Sequence, residues 1–350
     1  MGNRDRNIRE FSRSDILLAV VELPFRRMRL SAAPTLIGYA AALGVALALP
    51  IVVREGDGLP ARLPEAAKTV EAVATLGRGG KCLALFEDAP NLSGECVSPS
   101  HDQASVALLG DSHAGALADA FRELATQQNL GFRIFAKSSC RPLLDVGIWS
   151  KEYPDLEESC AAFTARSLQV LISDPQVKTV FLAGAWAGPL EPDALYRYVD
   201  RENPKSAFDG VHLLTKGLNR ISAALSAAGK TVVLVEDAPQ WRFDPFRVEL
   251  DDAMPFRGRV LNAVFPEDAQ MESGQVKLTS LKETEHTHII RDIMPELPHE
   301  VRYLDFFGKF CDGGYCTYKD STGLFFFDEG HLSFNGARHA LNGLRLLSDK

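Results

Sequence analysis

From Ser105 onward the chain alternates short apolar runs with stretches of helical spacing. The runs are Ser105–Leu109, Phe132–Ala136, Thr179–Ala183, Thr231–Val235 and Val301–Leu304. Each is four or five residues long, mostly apolar, and ends at Gly, Lys, Glu or Asp, the pattern of strands buried on both faces of a parallel sheet. Between them the period lengthens. Leu117, Phe121 and Leu124 recur at i, i+4 and i+7, which predicts a helix over 114–128 with that face against the sheet. Further helices are predicted near 160–173, 212–228, 283–296 and 334–347. Strand–helix alternation of this kind specifies an α/β fold: a three-layer, doubly wound (flavodoxin-like) parallel sheet of about five strands. Residues 241–280 fit no clean pattern and read as a long insertion near the site.

Upstream, Ser31 to Val53 contains no charged residue, a run long enough to span a bilayer as a helix. Residues 1–33 carry seven Arg against four acids, so the basic side is expected in the cytoplasm and everything after Arg54 on the other face. A core helix of a soluble protein would be shorter and keep a polar stripe. A cleaved signal peptide, with Ala46-Leu47-Ala48 as its small-residue site, is the other alternative, although that triplet sits inside the apolar run. The expected organisation is a basic cytoplasmic segment at 1–33, a transmembrane helix at 34–53, a linker and disulfide-stapled lead-in at 54–103, and an α/β domain at 104–350.

The charge of the first 33 residues is +3, which leaves −11 of the total −8 on the rest. A body that acidic argues against nucleic acid, whose binding depends on neutralising phosphates. Six cysteines fall into three local pairs, Cys82 with Cys96, Cys140 with Cys160 and Cys311 with Cys316. Six allow fifteen connectivities, so proximity alone selects these; an exported domain favours disulfides over free thiols. No metal site is expected, because neither C-x-x-C nor H-E-x-x-H occurs, and the close pair His286 and His288 reads as surface polar residues.

Two segments carry chemistry. Gly110-Asp111-Ser112-His113 follows the first strand and opens the first helix. That puts Ser112 at the carboxyl end of a central strand, with helix N–H groups to receive an oxyanion, and Gly110 gives the turn room. Alternatively, Asp111 or Ser112 merely caps the helix. Asp328-Glu329-Gly330-His331-Leu332-Ser333 opens the last helix, with Ser333 as the expected N-cap. The three-residue spacing lets the Asp328 carboxylate reach the His331 imidazole, whose other nitrogen can take the serine proton. Alternatively, Asp328 is a loop acid and His331 a helix-start residue.

Gly-Asp-Ser-His near the start, with Asp-x-x-His-Leu-Ser near the end, resembles the SGNH (GDSL-like) hydrolase superfamily. It is most similar to the SGNH domains fused to, or partnered with, acyltransferase-3 membrane proteins. Cys311 and Cys316 ahead of Asp328, and the block Ser138-Ser139-Cys140-Arg141-Pro142, belong to the same resemblance. So does Glu22-Leu23-Pro24-Phe25-Arg26-Arg27, which looks like the closing segment of an acyltransferase-3 membrane domain. The resemblance implies O-acylation, usually O-acetylation, of bacterial surface glycans, with Ser112 as nucleophile, His331 as base and Asp328 as its orienting acid. It implies oxyanion donors from Ser112 and Gly184, but the superfamily's Asn has no counterpart in Gly184-Ala185-Trp186-Ala187. Trp186 is expected to line a sugar subsite or to be a core aromatic. His113 is expected either to contact substrate or to sit behind the site.

The expectation is therefore a single-pass protein of the bacterial inner membrane with its catalytic domain in the periplasm. It would be a serine acyltransferase or esterase working through an acyl-serine, without a cofactor. Its partners would be an acyl donor, a glycan acceptor and a multi-spanning acyltransferase-3 protein, since this chain has room for one spanning helix and at most a stub at 16–25. A stand-alone carbohydrate acetyl esterase and a non-catalytic glycan-binding domain are the alternatives.

Overall fold

The structure is a computed structural model that describes residues 32–56, 63–75, 80–98, 103–203, 209–254, 275–277, 281 and 285–347. The basic leader, including Glu22–Arg27, and most of the 241–280 insertion lie outside the described residues. The chain divides into two units, residues 1–63 and 64–350. In the first, helix α1 (Ala32–Glu55) contains a stretch, Leu36–Glu55, long and apolar enough to cross a membrane. Its Leu36, Ile37, Leu43 and Leu47 are all more than half exposed.

The second unit begins with helix α2 (Glu65–Thr75) and strand β1 (Leu83–Ala84). Strand β2 (Ser105–Gly110) follows, then helix α3 (Ser112–Gln127), β3 (Gly131–Lys137), β4 (Val146–Ser150), α4 (Leu156–Ser173) and β5 (Val177–Ala183). The chain continues with β6 (Tyr196–Asp200), α5 (Gly210–Ala227), β7 (Thr231–Val235), α6 (Pro245–Ala253), β8 (Gln275–Lys277), α7 (Ile289–Ile293) and β9 (Arg302–Leu304). After a short helix α8 (Phe307–Phe310) come β10 (Cys311–Asp312), β11 (Tyr315–Thr317), β12 (Lys319–Asp320), β13 (Gly323–Leu324) and helix α9 (Phe334–Leu341).

The main sheet is parallel with order β1-β3-β2-β5-β7-β9. The five apolar runs are five of its strands. The sixth, β1, is a two-residue edge strand that lies upstream of residue 104, where the domain was expected to begin; two residues carry no pattern to read. Strand residues alternate between two cores. Val106 and Leu108 join Leu117, Phe121 and Ala337 on the α3/α9 side, while Ala107 and Leu109 join Phe163, Leu214, Ile221 and Ile290 on the other. Two cores around one sheet make the three layers.

Two helices are shorter than predicted. Among the described residues of the 283–296 region, Ile289–Ile293 is α-helical, and Pro295 turns the chain after it into a 3-10 turn. Helix α9 stops at Leu341, where Asn342 leaves helical geometry (ψ 129°) and Gly343 takes a left-handed φ of 76°. The antiparallel pair β4–β6 lies outside the main sheet. All three expected cysteine pairs are at bonded distance, with Cα separations of 5.4, 5.0 and 4.0 Å.

Chain order explains where a site can form. From β2 the sheet grows one way through β3 to β1 and the other way through β5, β7 and β9. The crossovers leave β2 and β5 in opposite directions, which opens a crevice beyond their carboxyl ends.

Candidate active site

Ser112 and Gly184 lie at this crevice, after β2 and β5 respectively. The chain leaves β2 at Gly110 and turns at Asp111, whose Oδ1 accepts the His113 N–H at 2.9 Å. Asp111 is therefore the helix cap, and the Ser112 hydroxyl is not used for that purpose. Ser112 Oγ is 2.8 Å from His331 Nε2. On the other side of the ring, His331 Nδ1 is 2.8 Å from Asp328 Oδ2.

The local sequence around Asp328 holds this geometry. Asp328 Oδ1 accepts the N–H groups of Gly330 and His331, at 2.9 and 2.7 Å, which closes the loop into one tight turn. Ser333 then caps α9 by accepting the Gly336 N–H at 3.1 Å. Burial opposes ionisation of Asp328, but the bonds and charge of His331 outweigh it and hold the carboxyl at about 2. An ionised Asp328 accepts Nδ1–H and fixes one tautomer, leaving the Nε2 lone pair facing the serine hydroxyl. Such an arrangement can take a proton from Ser112 and return it to a leaving group.

The loop after β5 is tied to the serine turn. Asp111 Oδ2 accepts the Ala185 N–H at 3.0 Å and faces Arg141 Nε at 3.2 Å; both side chains of this ion pair are buried. Arg141 also donates to the carbonyls of Ala185 and Ser139. A methyl group on Gly184 would lie 3.4 Å from Asp111 Oδ2, so Gly184 sits beside the turn that carries Ser112. The Ala185 N–H, in the position after Gly184, is consumed by Asp111.

Trp186 is not a sugar platform. It is fully buried, its Nε1 donates to Val235 O at 2.9 Å, and the Tyr198 hydroxyl donates to its carbonyl at 2.8 Å. Of the two expectations for this residue, the core aromatic holds: its large apolar face is worth more inside, once the indole N–H has a partner. His113 does meet the site, from behind. Its Nδ1 is 2.7 Å from Asp237 Oδ1, and its ring centroid is 4.5 Å from that of His331. Phe327 stacks on His331 at 5.4 Å and 13°. Among the described residues no group of three or more His, Cys, Asp or Glu could hold a metal, and His288 packs edge-on against Phe307.

Sequence reasoning missed Asp237, Glu236 and the role of Arg141. Arg141 stands inside the Ser138–Pro142 block, and Glu236 and Asp237 directly follow the 231–235 run, so the rule that sites gather at carboxyl strand ends would have found them. Glu236 is fully buried. Its Oε2 accepts from Arg291 N and Tyr303 Oη at 3.0 and 3.2 Å, while Oε1 has no partner among the described residues. Burial, aided by the charge of Asp237, pushes its carboxyl up to about 7. A raised pKa means the folded protein binds more protons than the unfolded chain between pH ~4.5 and ~7, so stability falls as pH rises through that window. Glu236→Gln should therefore stabilise the protein at pH 8 by roughly 2 kcal/mol and change little at pH 5. Denaturant midpoints of both proteins at both pH values check this; equal differences at the two pH values would refute it.

An α/β sandwich with a serine–histidine–aspartate constellation at its strand ends has the build of an acyl-transferring or ester-hydrolysing enzyme. Residues 81–343 match the SGNH domain (fused to AT3 domains), and the chain belongs to that family. Among solved structures it is similar to the periplasmic domain of a lipopolysaccharide acetyltransferase from Salmonella ser. Paratyphi A. The identity is 14%, the match covers 81% of this chain and 96% of that one, and the TM-score is 0.53. A GDSL-like lipase from Bacteroides thetaiotaomicron follows at 12% identity, 69% and 87% coverage and TM-score 0.33. A carbohydrate acetylesterase from Sinorhizobium meliloti matches at 13% identity, 67% and 94% coverage and TM-score 0.32. No curated protein matches in sequence.

Proposed function

We propose that this chain is a membrane-anchored serine acyltransferase or esterase that acts on O-acetyl groups of a bacterial surface polysaccharide at the periplasmic face of the inner membrane. The observation that carries the reading is the relay of two 2.8 Å contacts, Ser112 to His331 and His331 to Asp328, at the start of a helix. Ser112 Oγ attacks the acyl carbonyl while its proton passes to His331 Nε2. The tetrahedral oxyanion is received by the Ser112 N–H, at the positive end of α3, and by Gly184. The ester C–O bond then breaks, and the leaving oxygen takes the proton from His331. An acceptor hydroxyl next gives its proton to His331 and attacks the acyl-serine carbonyl; the bond from that carbon to Ser112 Oγ breaks, Oγ takes the proton back from His331, and the new ester leaves. If the acceptor is water, the same residues give hydrolysis.

The family fusion to AT3 domains supports a multi-spanning acyltransferase-3 protein as the source of acyl groups, and the apolar helix α1 supports the anchor. Space for an acceptor lies beside Asp237, in a cavity of about 390 Å³. Its described lining carries Glu191, Asp193 and Asp237 and no lysine or arginine, which favours an uncharged sugar over a uronate or phosphate. The test is turnover of an activated acetyl ester with neutral and with uronate oligosaccharides. Acetylated neutral oligosaccharide is the expected product. Release of acetate alone, at a rate no acceptor changes, would leave the esterase, and no turnover at all would refute the reading.

A further inference from the structure

We propose that His113 and Asp237 form a second imidazole–carboxylate pair that positions His331: the charged His113 ring, clamped by Asp237, lies against His331, fixes it opposite Ser112 and opposes its protonation in the resting state. The proposal rests on the reading of His331 as the base and assigns its immediate neighbours a part in setting its chemistry.

The geometry comes first. His113 directly follows Ser112 on α3, so serine and second histidine share one rigid helical turn. Asp237 directly follows Glu236, the first residue beyond β7, on the far side of the crevice. The 2.7 Å contact between His113 Nδ1 and Asp237 Oδ1 therefore bridges the serine helix to a strand two places across the sheet. Both side chains are largely withdrawn from solvent, at 13% and 11% exposure. Asp237 is held in turn: its Oδ1 also accepts the Ala238 N–H at 2.9 Å. The His113 ring meets the His331 ring at 4.5 Å between centroids and an angle of 53°, while Phe327 covers His331 at 5.4 Å. Flanked by these two rings and bonded at both nitrogens, His331 has little freedom left.

The charge follows from the neighbours. Around His113 stand Asp237 and Glu236 from the loop after β7, Asp111 from the turn before α3, Arg141 from the loop after β3, and His331 with its Asp328 from the loop before α9. Burial works against an imidazolium here, but the Asp237 charge and hydrogen bond outweigh it, with Asp111 adding and Arg141 subtracting, and lift His113 to about 9. At neutral pH the pair is ionic. The positive ring is the member in contact with His331, and Asp237 lies behind it. A cation at that distance disfavours a second proton on the neighbouring ring, so losing the pair should ease protonation of His331. When His331 does take the Ser112 proton, the same repulsion speeds its transfer to the leaving oxygen.

The test does not require turnover. The full-length chain with isotope-labelled histidine is titrated by NMR, as wild type, His113→Gln, Asp237→Asn and Asp237→Glu, each first checked for an unchanged melting profile. The expected wild-type result is a His113 ring that stays protonated at pH 8. In His113→Gln and Asp237→Asn the His331 midpoint should rise by on the order of one pH unit, and Asp237→Glu should restore part of the shift. The acid limb of kcat/KM for an acetyl ester should move with it, whereas a purely structural role would lower kcat and leave the limb in place. A neutral His113 at pH 7, or a His331 midpoint unmoved in both variants, overturns the proposal. If instead no acetyl ester is turned over while the titrations behave as expected, the fault lies in the substrate assignment and the pair stands.

Discussion

Ser112→Ala is expected to lower acetyl-ester turnover by about ten-thousand-fold or more and to abolish labelling by a serine-reactive phosphonate. The alanine removes the atom that would form the acyl bond, and no other hydroxyl is within reach of His331 Nε2 among the described contacts. His331→Ala should come close to the same loss, because a serine hydroxyl without a base is a poor nucleophile at neutral pH. Asp328→Ala should lose less, since the carboxylate orients the ring and stabilises its charge without taking the proton. Once any one of the three is gone the others have little left to do, so the double variant Ser112→Ala/His331→Ala should be little worse than either single one. Ser112→Ala should leave stability nearly unchanged, whereas Asp328→Ala also removes the acceptor of the Gly330 and His331 N–H groups and should cost about 1 kcal/mol. With Asp328 held at about 2, its carboxylate should contribute no acid limb above pH 4 to the activity profile. Full turnover by a folded Ser112→Ala protein would sink Ser112 as the nucleophile.

Five of the six strands of the main sheet are legible because a strand covered on both faces is mostly apolar, and a run such as Thr231–Val235 has no helical alternative of that length. Strand β1 is not, since Leu83 and Ala84 look like any two apolar residues beside a cysteine. The β4–β6 pair was missed for another reason: its strands are separated by α4 and β5, so no turn signal links Val146–Ser150 to Tyr196–Asp200. Its effect on the site is nevertheless direct, because Tyr198 from β6 bonds the Trp186 carbonyl in the loop after β5.

Within the site, Ser112, Asp328 and His331 could be singled out because each lies in a short motif whose spacing has a chemical reason. His113 was visible but ambiguous: its role depends on Asp237, 124 positions away, and only the fold joins them. Trp186 shows the limit of residue type as a guide. A tryptophan at a strand end suits a sugar face and a core equally well until its N–H partner is known, and here that partner is the buried carbonyl of Val235.

Gly110→Ala is expected to cost at least a hundredfold in turnover and to lower the melting temperature by several degrees. Gly110 is the last residue of β2, paired to Ala136 on β3 and Ala183 on β5. A Cβ there would come within 1.8 Å of the Ala183 carbonyl oxygen and 2.7 Å of the Ala114 Cβ. Neither can swing aside. The carbonyl is backbone, 3.4 Å from the Asp111 N–H, and Ala114 is buried in the second residue pair of the helix that carries Ser112. Relief requires β2 and β5 to separate or the 110–112 turn to move, at a cost of about 1–3 kcal/mol. Either motion displaces Ser112 from His331, and a shift of about 1 Å is enough for a hundredfold loss. Gly115 provides the control on the same helix. A Cβ there would meet Leu83 Cδ1 at 3.1 Å, the end of a side chain that can rotate, so Gly115→Ala should keep both fold and turnover. Thermal melts and kcat/KM of the two variants decide the matter. Equal, mild effects at both positions would mean that the serine turn has slack that the 1.8 Å clash denies.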